Sequence, residues 1–356
     1  MGPSQLYPTV GQHLARAVKT NIGSLSHRSK GFEKIYQSAC INLRDLLGIP
    51  RSHRIFFLSS SLEAMERTIQ NTVEKTSLHI ITGDFAKKFS ETATQLGKSP
   101  TNVSFTPENV AAVPSLTMAK HTELLCVTQN ETSTGIALMP ETIYSLKNQH
   151  PSLLLALDVV SSVPYQKLNF RFIDIAFFSV QKGFGLPAGL SVLIVSPEAL
   201  EKAIKLRKKG LIIGTYHSFP SLLEKAEKNQ TPETPNVIDL YLLAKVSEDL
   251  LRVGVSVIRK ETKEKAKMLY NFFDQSASYA PCVADPKYRS YTTLVIDTKG
   301  KSLQVLDRLQ KSGIVVSSGY GKNQTTQIRI ANFPVHTRQQ VKQLISALDK
   351  ALPSTP

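Results

Sequence analysis

Apolar residues in this chain follow two rhythms. Between residues 31 and 47, Phe32, Ile35, Tyr36, Ala39, Leu43 and Leu46 recur at intervals of three and four, which predicts a helix. Elsewhere they come in short unbroken runs, which predict strands at 54–58, 79–82 and 124–128. Further runs end in Asp158 and in Ser179, and another spans 190–195. Such runs read as strands buried on both faces, the habit of a parallel sheet. A helix from Leu62 to about Val73 follows the triplet Ser59-Ser60-Ser61. Residues 229–236 are polar and proline-rich, the mark of a loop. An amphipathic helix then runs from Val237 to about Phe273, allowing for a break. The remainder alternates again, with strands at 292–296, 314–317 and 327–330 and helices at 303–310 and 337–352. This alternation implies an α/β fold with a large, mainly parallel-sheet domain and a smaller C-terminal α/β domain. We divide the chain into an N-terminal segment (1–20), a large domain (21–250) and a small domain (251–356).

A chain of 356 residues, 41% hydrophobic, can bury the cores of two such domains. No apolar stretch approaches the length of a membrane span, so no membrane partner is expected. Residues 1–7 lack the basic and apolar blocks of a secretion signal. Cys40, Cys126 and Cys282 are scattered without metal-ligand spacing, which suggests packing residues, no metal site and a reducing cytoplasm. The formal charge of +15 raises the question of nucleic acid. Its lysines are diluted, however, and the stretch 201–209 reads as the solvated face of a helix. No interleaving of aromatic and basic residues suggests a base-stacking platform, so nucleic acid is not an expected partner. Attraction of a small anionic substrate or cofactor is the more economical use of the charge.

Parallel sheets place their ligand sites just beyond the carboxyl ends of the strands. Asp158 closes one apolar run, and Lys182 follows the next in Ser179-Val180-Gln181-Lys182-Gly183. One sheet edge therefore receives both a carboxylate and an amine. Taken alone, polar capping of strand ends explains both residues. Yet Gly183, Gly185, Pro187, Ala188 and Gly189 keep the surroundings of the amine free of bulk. Ser161-Ser162, just after the aspartate, suits an anion site or a tight turn. Pyridoxal 5'-phosphate chemistry is the foremost use of such a pair. Its aldehyde condenses with a lysine, and an acid keeps its ring nitrogen protonated.

The segment from Gln181 to Leu190 is close to the Gln-Lys-Asn-x-Gly-Pro-Ala-Gly of a known family. From about Gly23 to Pro334 the chain resembles the class V, fold type I aminotransferases, and within them the phosphoserine branch. That resemblance implies transamination between phosphoserine and 2-oxoglutarate by a cytoplasmic homodimer with shared active sites. Lys182 and Asp158 then carry the catalysis, with Gln181 beside the lysine in the cofactor site. Ser60, Ser61 and the amide of Leu62 take the cofactor phosphate, at a helix N-terminus suited to anions. Phe85, in Gly83-Asp84-Phe85, stacks on the pyridine, and Thr132, in Asn130-Glu131-Thr132, donates to its phenolate oxygen. Thr234 reaches the cofactor phosphate of the neighbouring subunit. His27 and Arg28 bind the substrate's phosphate, and Arg329 its α-carboxylate, where a planar fork matches two parallel hydrogen bonds.

Three positions depart from the family's pattern. Leu62 stands in the phosphate segment where a basic contact is common, and Glu233 replaces an asparagine before Thr234. Gly319-Tyr320-Gly321-Lys322 stands where a basic pair helps to read the substrate phosphate. Another class V aminotransferase, acting on alanine, serine or glyoxylate, is therefore the rival reading. A non-catalytic basic binding protein on the same scaffold is a remoter one. Cysteine desulfurases usually carry His before the lysine, and only Cys282 could serve as their nucleophile; Gln181 argues against them.

Overall fold

All six predicted strands of the first two-thirds of the chain join one sheet in the computed structural model, which describes residues 2–352. Its strands are β1 (Arg54–Leu58), β2 (Thr76–Ile81), β3 (Ser99–Ser104), β4 (Leu124–Thr128), β5 (Leu154–Asp158), β6 (Ile175–Ser179) and β7 (Ser191–Val195). Their spatial order is β1-β7-β6-β5-β4-β2-β3. Every pairing is parallel except the two made by β7, which runs antiparallel to β1 and β6. Strands β4 to β7 are buried along their whole length, as their unbroken apolar runs require. The sequence pattern missed β3, Ser-Pro-Thr-Asn-Val-Ser. An edge strand needs no apolar run and tolerates proline, so it carries no such signal.

Among the described residues nine α-helices precede the small sheet: α1 (Val10–Lys19), α2 (Lys30–Leu47), α3 (Ser61–Thr72), α4 (Asp84–Gln95), α5 (Pro140–Gln149), α6 (Pro197–Lys208), α7 (Phe219–Ala226), α8 (Val237–Val253) and α9 (Val255–Asp274). Alternate strand residues feed two cores. Leu155, Leu157, Ala176 and Phe178 pack with α2, α5 and α8 on one face. Leu154, Ala156, Ile175 and Phe177 pack with α3, α4 and α6 on the other. The expected long helix breaks once, at Gly254, whose φ of 90° lies in the region that favours glycine.

A four-stranded antiparallel sheet follows, ordered β10-β11-β9-β8. It comprises β8 (Ala280–Pro281), β9 (Thr293–Asp297), β10 (Ser317–Ser318) and β11 (Gln327–Ala331), with α10 (Ser302–Lys311) and α11 (Arg338–Ala351). The strand expected at 314–317 shrinks to Ser317–Ser318. Ile314 bonds back to Leu309 O to close α10, and Val315 is 89% exposed. Along β11, Ile328 and Ile330 enter the third core, which leaves Arg329 on the opposite face.

The loops after β5 and β6 touch. A Cβ on Gly183 would stand 1.9 Å from Val163 O and 2.9 Å from Pro164 Cδ, so only glycine lets the Lys182 loop close on the Asp158 loop. Gly183→Ala should destabilise the protein by about 1–3 kcal/mol or more, read by urea unfolding. A midpoint equal to that of wild type would contradict the close approach.

Candidate active site at the carboxyl edge of the sheet

The apolar strands end where the polar chemistry begins. Asp158 is the last residue of β5, and Lys182 stands in the turn beyond β6; they are 4% and 7% exposed. Both line a cavity of about 350 Å³ together with Ser60, Ser61, Leu62, Phe85, Thr132, Gln181 and Arg329. Nine of the twelve expected site residues thus meet in one place.

Lys182 Nζ donates to Ser161 Oγ at 2.7 Å and to Thr132 Oγ1 at 3.0 Å, and lies 5.3 Å from the centre of the Phe85 ring. Burial lowers its pKa to about 8, against the opposing pull of Asp158 and Glu131. Burial also raises Asp158 to about 7, with partial relief from the Val160 N–H at 2.9 Å and from Lys182. Each group is pushed toward neutrality, so a cation beside Asp158 would stabilise its charge. A protonated pyridine nitrogen is such a cation. Gln181 Oε1 and Thr128 Oγ1, on residues that line the same cavity, are buried without hydrogen-bond partners. Orphaned polar atoms of this kind suit a polar ligand, and the donor set fits pyridoxal 5'-phosphate.

Ser60 caps α3, accepting from Glu63 N at 3.1 Å. Ser61 is tied to the end of β6, its N–H donating to Ser179 Oγ at 3.1 Å. With the amides of Ser61 and Glu63 so engaged, Leu62 is the first-turn residue left to offer its amide where the positive end of the α3 dipole meets the cavity. Phe85 is held by Glu131, which sequence reasoning passed over. That buried carboxylate accepts from Ala86 N (3.0 Å), Ser133 N (3.0 Å) and Ser133 Oγ (2.7 Å). It therefore caps α4 and fixes Phe85 relative to Thr132. Ser161, read only as an anion or turn residue, instead bonds Lys182 directly. Gly2 also lines the cavity, and Ser4 N donates to Gln181 O at 2.8 Å, so the N-terminal segment covers the lysine loop.

Arg329 Nε donates to Ser318 O at 2.8 Å, which anchors the guanidinium. Tyr320 fills the wall between Arg329 and Phe85, with its ring 5.3 Å from the guanidinium carbon and 5.5 Å from the phenyl ring. Lys88 Nζ reaches the Tyr320 hydroxyl at 3.1 Å. The departure at Gly319–Lys322 thus places an aromatic wall where the family's pattern has a basic pair.

His27, Arg28 and Thr234 do not line this cavity. They form a separate cluster, with Thr234 Oγ1 3.4 Å from His27 Nδ1. Arg28 donates to Thr231 O at 2.6 Å, to Gln230 Oε1 at 3.1 Å and to Pro232 O at 3.2 Å. Slight burial and the Arg28 charge push the His27 imidazole below its usual pKa. Glu233 pairs with His217 at 2.8 Å. Cys282 lies outside the cavity, its thiol pushed up to about 12 by burial. This removes the one candidate for a desulfurase nucleophile.

A family model described as aminotransferase class-V matches residues 2–347. The chain is similar to a solved phosphoserine aminotransferase from Cytophaga hutchinsonii, with 43% identity, 98% of this chain and 97% of that one covered, and a TM-score of 0.96. It is 28% identical over 355 residues to the phosphoserine aminotransferase of Rhodococcus opacus, covering 98% of this chain and 93% of that protein. An aspartate aminotransferase from Thermus thermophilus, 22% identical with 98% and 97% covered, shares the fold at a TM-score of 0.83. The architecture is the fold type I expected from the sequence.

The buried acid makes a signed prediction for the cofactor-free protein. Because its folded pKa is raised, the cost of Asp158 is absent below about pH 4, grows toward pH 7 and is complete above it. Asp158→Asn should therefore stabilise the cofactor-free protein by on the order of 2 kcal/mol at pH 8 and by less at pH 5. Urea unfolding at the two pH values checks this, and equal effects at both would contradict the raised pKa.

Proposed function

The chain belongs to the class-V aminotransferase family, and from that premise we propose that it transfers the amino group of phosphoserine to 2-oxoglutarate, giving 3-phosphohydroxypyruvate and glutamate. Pyridoxal 5'-phosphate is the cofactor of this reading, and a cytoplasmic homodimer with shared sites its form. One observation carries it: a buried amine, a buried acid and a guanidinium line a single cavity. The relatives named phosphoserine aminotransferase support the choice of substrate.

When bound, the cofactor supplies an aldehyde that links to an amine and a ring that accepts the electrons left as the α-C–H bond breaks. Asp158 would hold the proton on the ring nitrogen. Phe85 would lie against the ring, Thr132 and Gln181 would bond its edge, and Ser60, Ser61 and the Leu62 amide would take its phosphate. Thr234 of a neighbouring subunit would complete that phosphate contact. Arg329 would grip the substrate's α-carboxylate with its planar fork.

Lys182 moves the proton. Its pKa near 8 leaves a sizeable free-base fraction at neutral pH, as a general base needs. With the cofactor bound, Nζ would accept the proton lost from the substrate's α-carbon and would donate a proton again as the amino group is handed over. Ser161 and Thr132 orient Nζ for both transfers. His27 and Arg28, presented by a neighbouring subunit, would read the phosphate.

Two variants test these roles. Lys182→Ala should lower turnover by at least about 10³-fold, since a single proton-transfer group contributes roughly 10²- to 10⁴-fold and Lys182 would also hold the cofactor; steady-state transamination near the wild-type rate would overturn the mechanism. Arg28→Ala should raise KM for phosphoserine by roughly 10- to 100-fold while changing KM for alanine or serine little. Wild-type protein that prefers alanine or serine to phosphoserine would favour the rival substrate class.

A further inference from the structure

His217 is a buried imidazole between two carboxylates, outside the Lys182 cavity. It is 5% exposed. Its Nδ1 bonds Glu63 Oε1 and its Nε2 stands 2.8 Å from Glu233 Oε2. A neutral imidazole donates only once, so a ring with an acceptor at each nitrogen is a cation. Burial opposes that charge, but the two carboxylates outweigh it and raise the ring's pKa to about 9. The ring of Tyr216 packs beside it, with centres 4.0 Å apart.

The two carboxylates adjoin parts of two proposed sites: Glu63 the cradle of its own chain, and Glu233 the cluster that its chain would present to the neighbouring subunit. Glu63 sits in the first turn of α3, where it also accepts from Ser59 N at 2.9 Å and Ser59 Oγ at 2.7 Å. It is thus fastened to the segment that carries Ser60 and Ser61. Glu233 adjoins Thr234, in the loop whose Thr231 and Pro232 carbonyls hold Arg28. Thr231 Oγ1 closes that loop on Glu233 O at 2.7 Å. The protonated ring is the one group common to both contacts, so its loss breaks both at once.

We propose that Glu63, His217 and Glu233 form a chain of positioning residues that locks the Thr231–Thr234 loop to the head of α3. The phosphate cradle on α3 and the His27–Arg28–Thr234 cluster thereby keep one mutual geometry. This rests on the functional reading above and gives Glu233 a task. Its carboxylate, a poor neighbour for a phosphate, is instead turned to His217. Glu63 shares the same cationic ring, so the three side chains together keep a single net negative charge.

The test uses His217→Gln and Glu233→Gln, singly and together, on the full-length chain. Three quantities are measured: the Kd of pyridoxal 5'-phosphate for cofactor-free protein by fluorescence titration, KM and kcat for phosphoserine, and urea unfolding of the cofactor-free protein. Each single variant should raise that Kd and the phosphoserine KM by about five- to fiftyfold, with kcat within about threefold of wild type. The double variant should be no worse than the more affected single one, because the link is already cut. Unchanged Kd and KM in both single variants, or effects that simply add, would overturn the proposal. If His217→Gln does not fold, Glu233→Gln carries the same binding and kinetic measurements alone. Wild-type protein that takes up no cofactor would sink the functional reading instead, and is seen before any variant is made. Non-additive unfolding of the two variants would then still support the link, and additive unfolding would still overturn it.

Discussion

The site depends on keeping a carboxylate and an amine together in a place with little water. Asp158 and Lys182 are each more than nine-tenths buried, and burial drives their pKa values toward each other, to about 7 and about 8. In water neither group would be poised near neutrality. Here the lysine becomes a usable base, and the acid is left short of a cationic partner. A ligand that brings a protonated ring nitrogen satisfies the second deficit while using the first. The burial of the pair is thus the source of the site's affinity and its chemistry.

The scaffold holds this pair by backbone and not by long side chains. Parallel β5 and β6 deliver the two loops to one edge, and Gly183 lets them touch. Around them, buried polar groups pin the ligands of the proposed cofactor: Glu131 fixes Phe85 against Thr132, Ser179 fixes Ser61, and Ser161 fixes Lys182. Each of these acts over a short hydrogen bond inside a dry interior, where such bonds resist rearrangement. The cluster of His27, Arg28 and Thr234 is different. It is largely exposed, stands apart from the cavity, and is held through carbonyls of a loop. A group waiting for a second subunit would be built that way.

Much of this was legible in the sequence, for identifiable reasons. Strands buried on both faces announce themselves as apolar runs, so six strands and the strand-end positions of Asp158 and Lys182 could be read directly. β3 could not, because an exposed edge selects no apolar pattern. The strand expected at 314–317 failed because its residues were spent closing α10. Arg329 was reachable through its motif, and the alternation of β11 explains why it points away from the core. Glu131 was hidden within a motif whose threonine drew the attention. His217 gave no local signal at all, since one of its partners lies 154 positions away in sequence. The oddity of Glu233 was visible, but its resolution needed the fold.

The most direct test of the account is chemical. Reduction of the cofactor-loaded protein with borohydride, followed by tryptic digestion and mass mapping, identifies the nitrogen that holds the cofactor. The account predicts a single pyridoxylated peptide spanning residues 172–202, uncut at a modified Lys182. A label on any other lysine, or none, would contradict it.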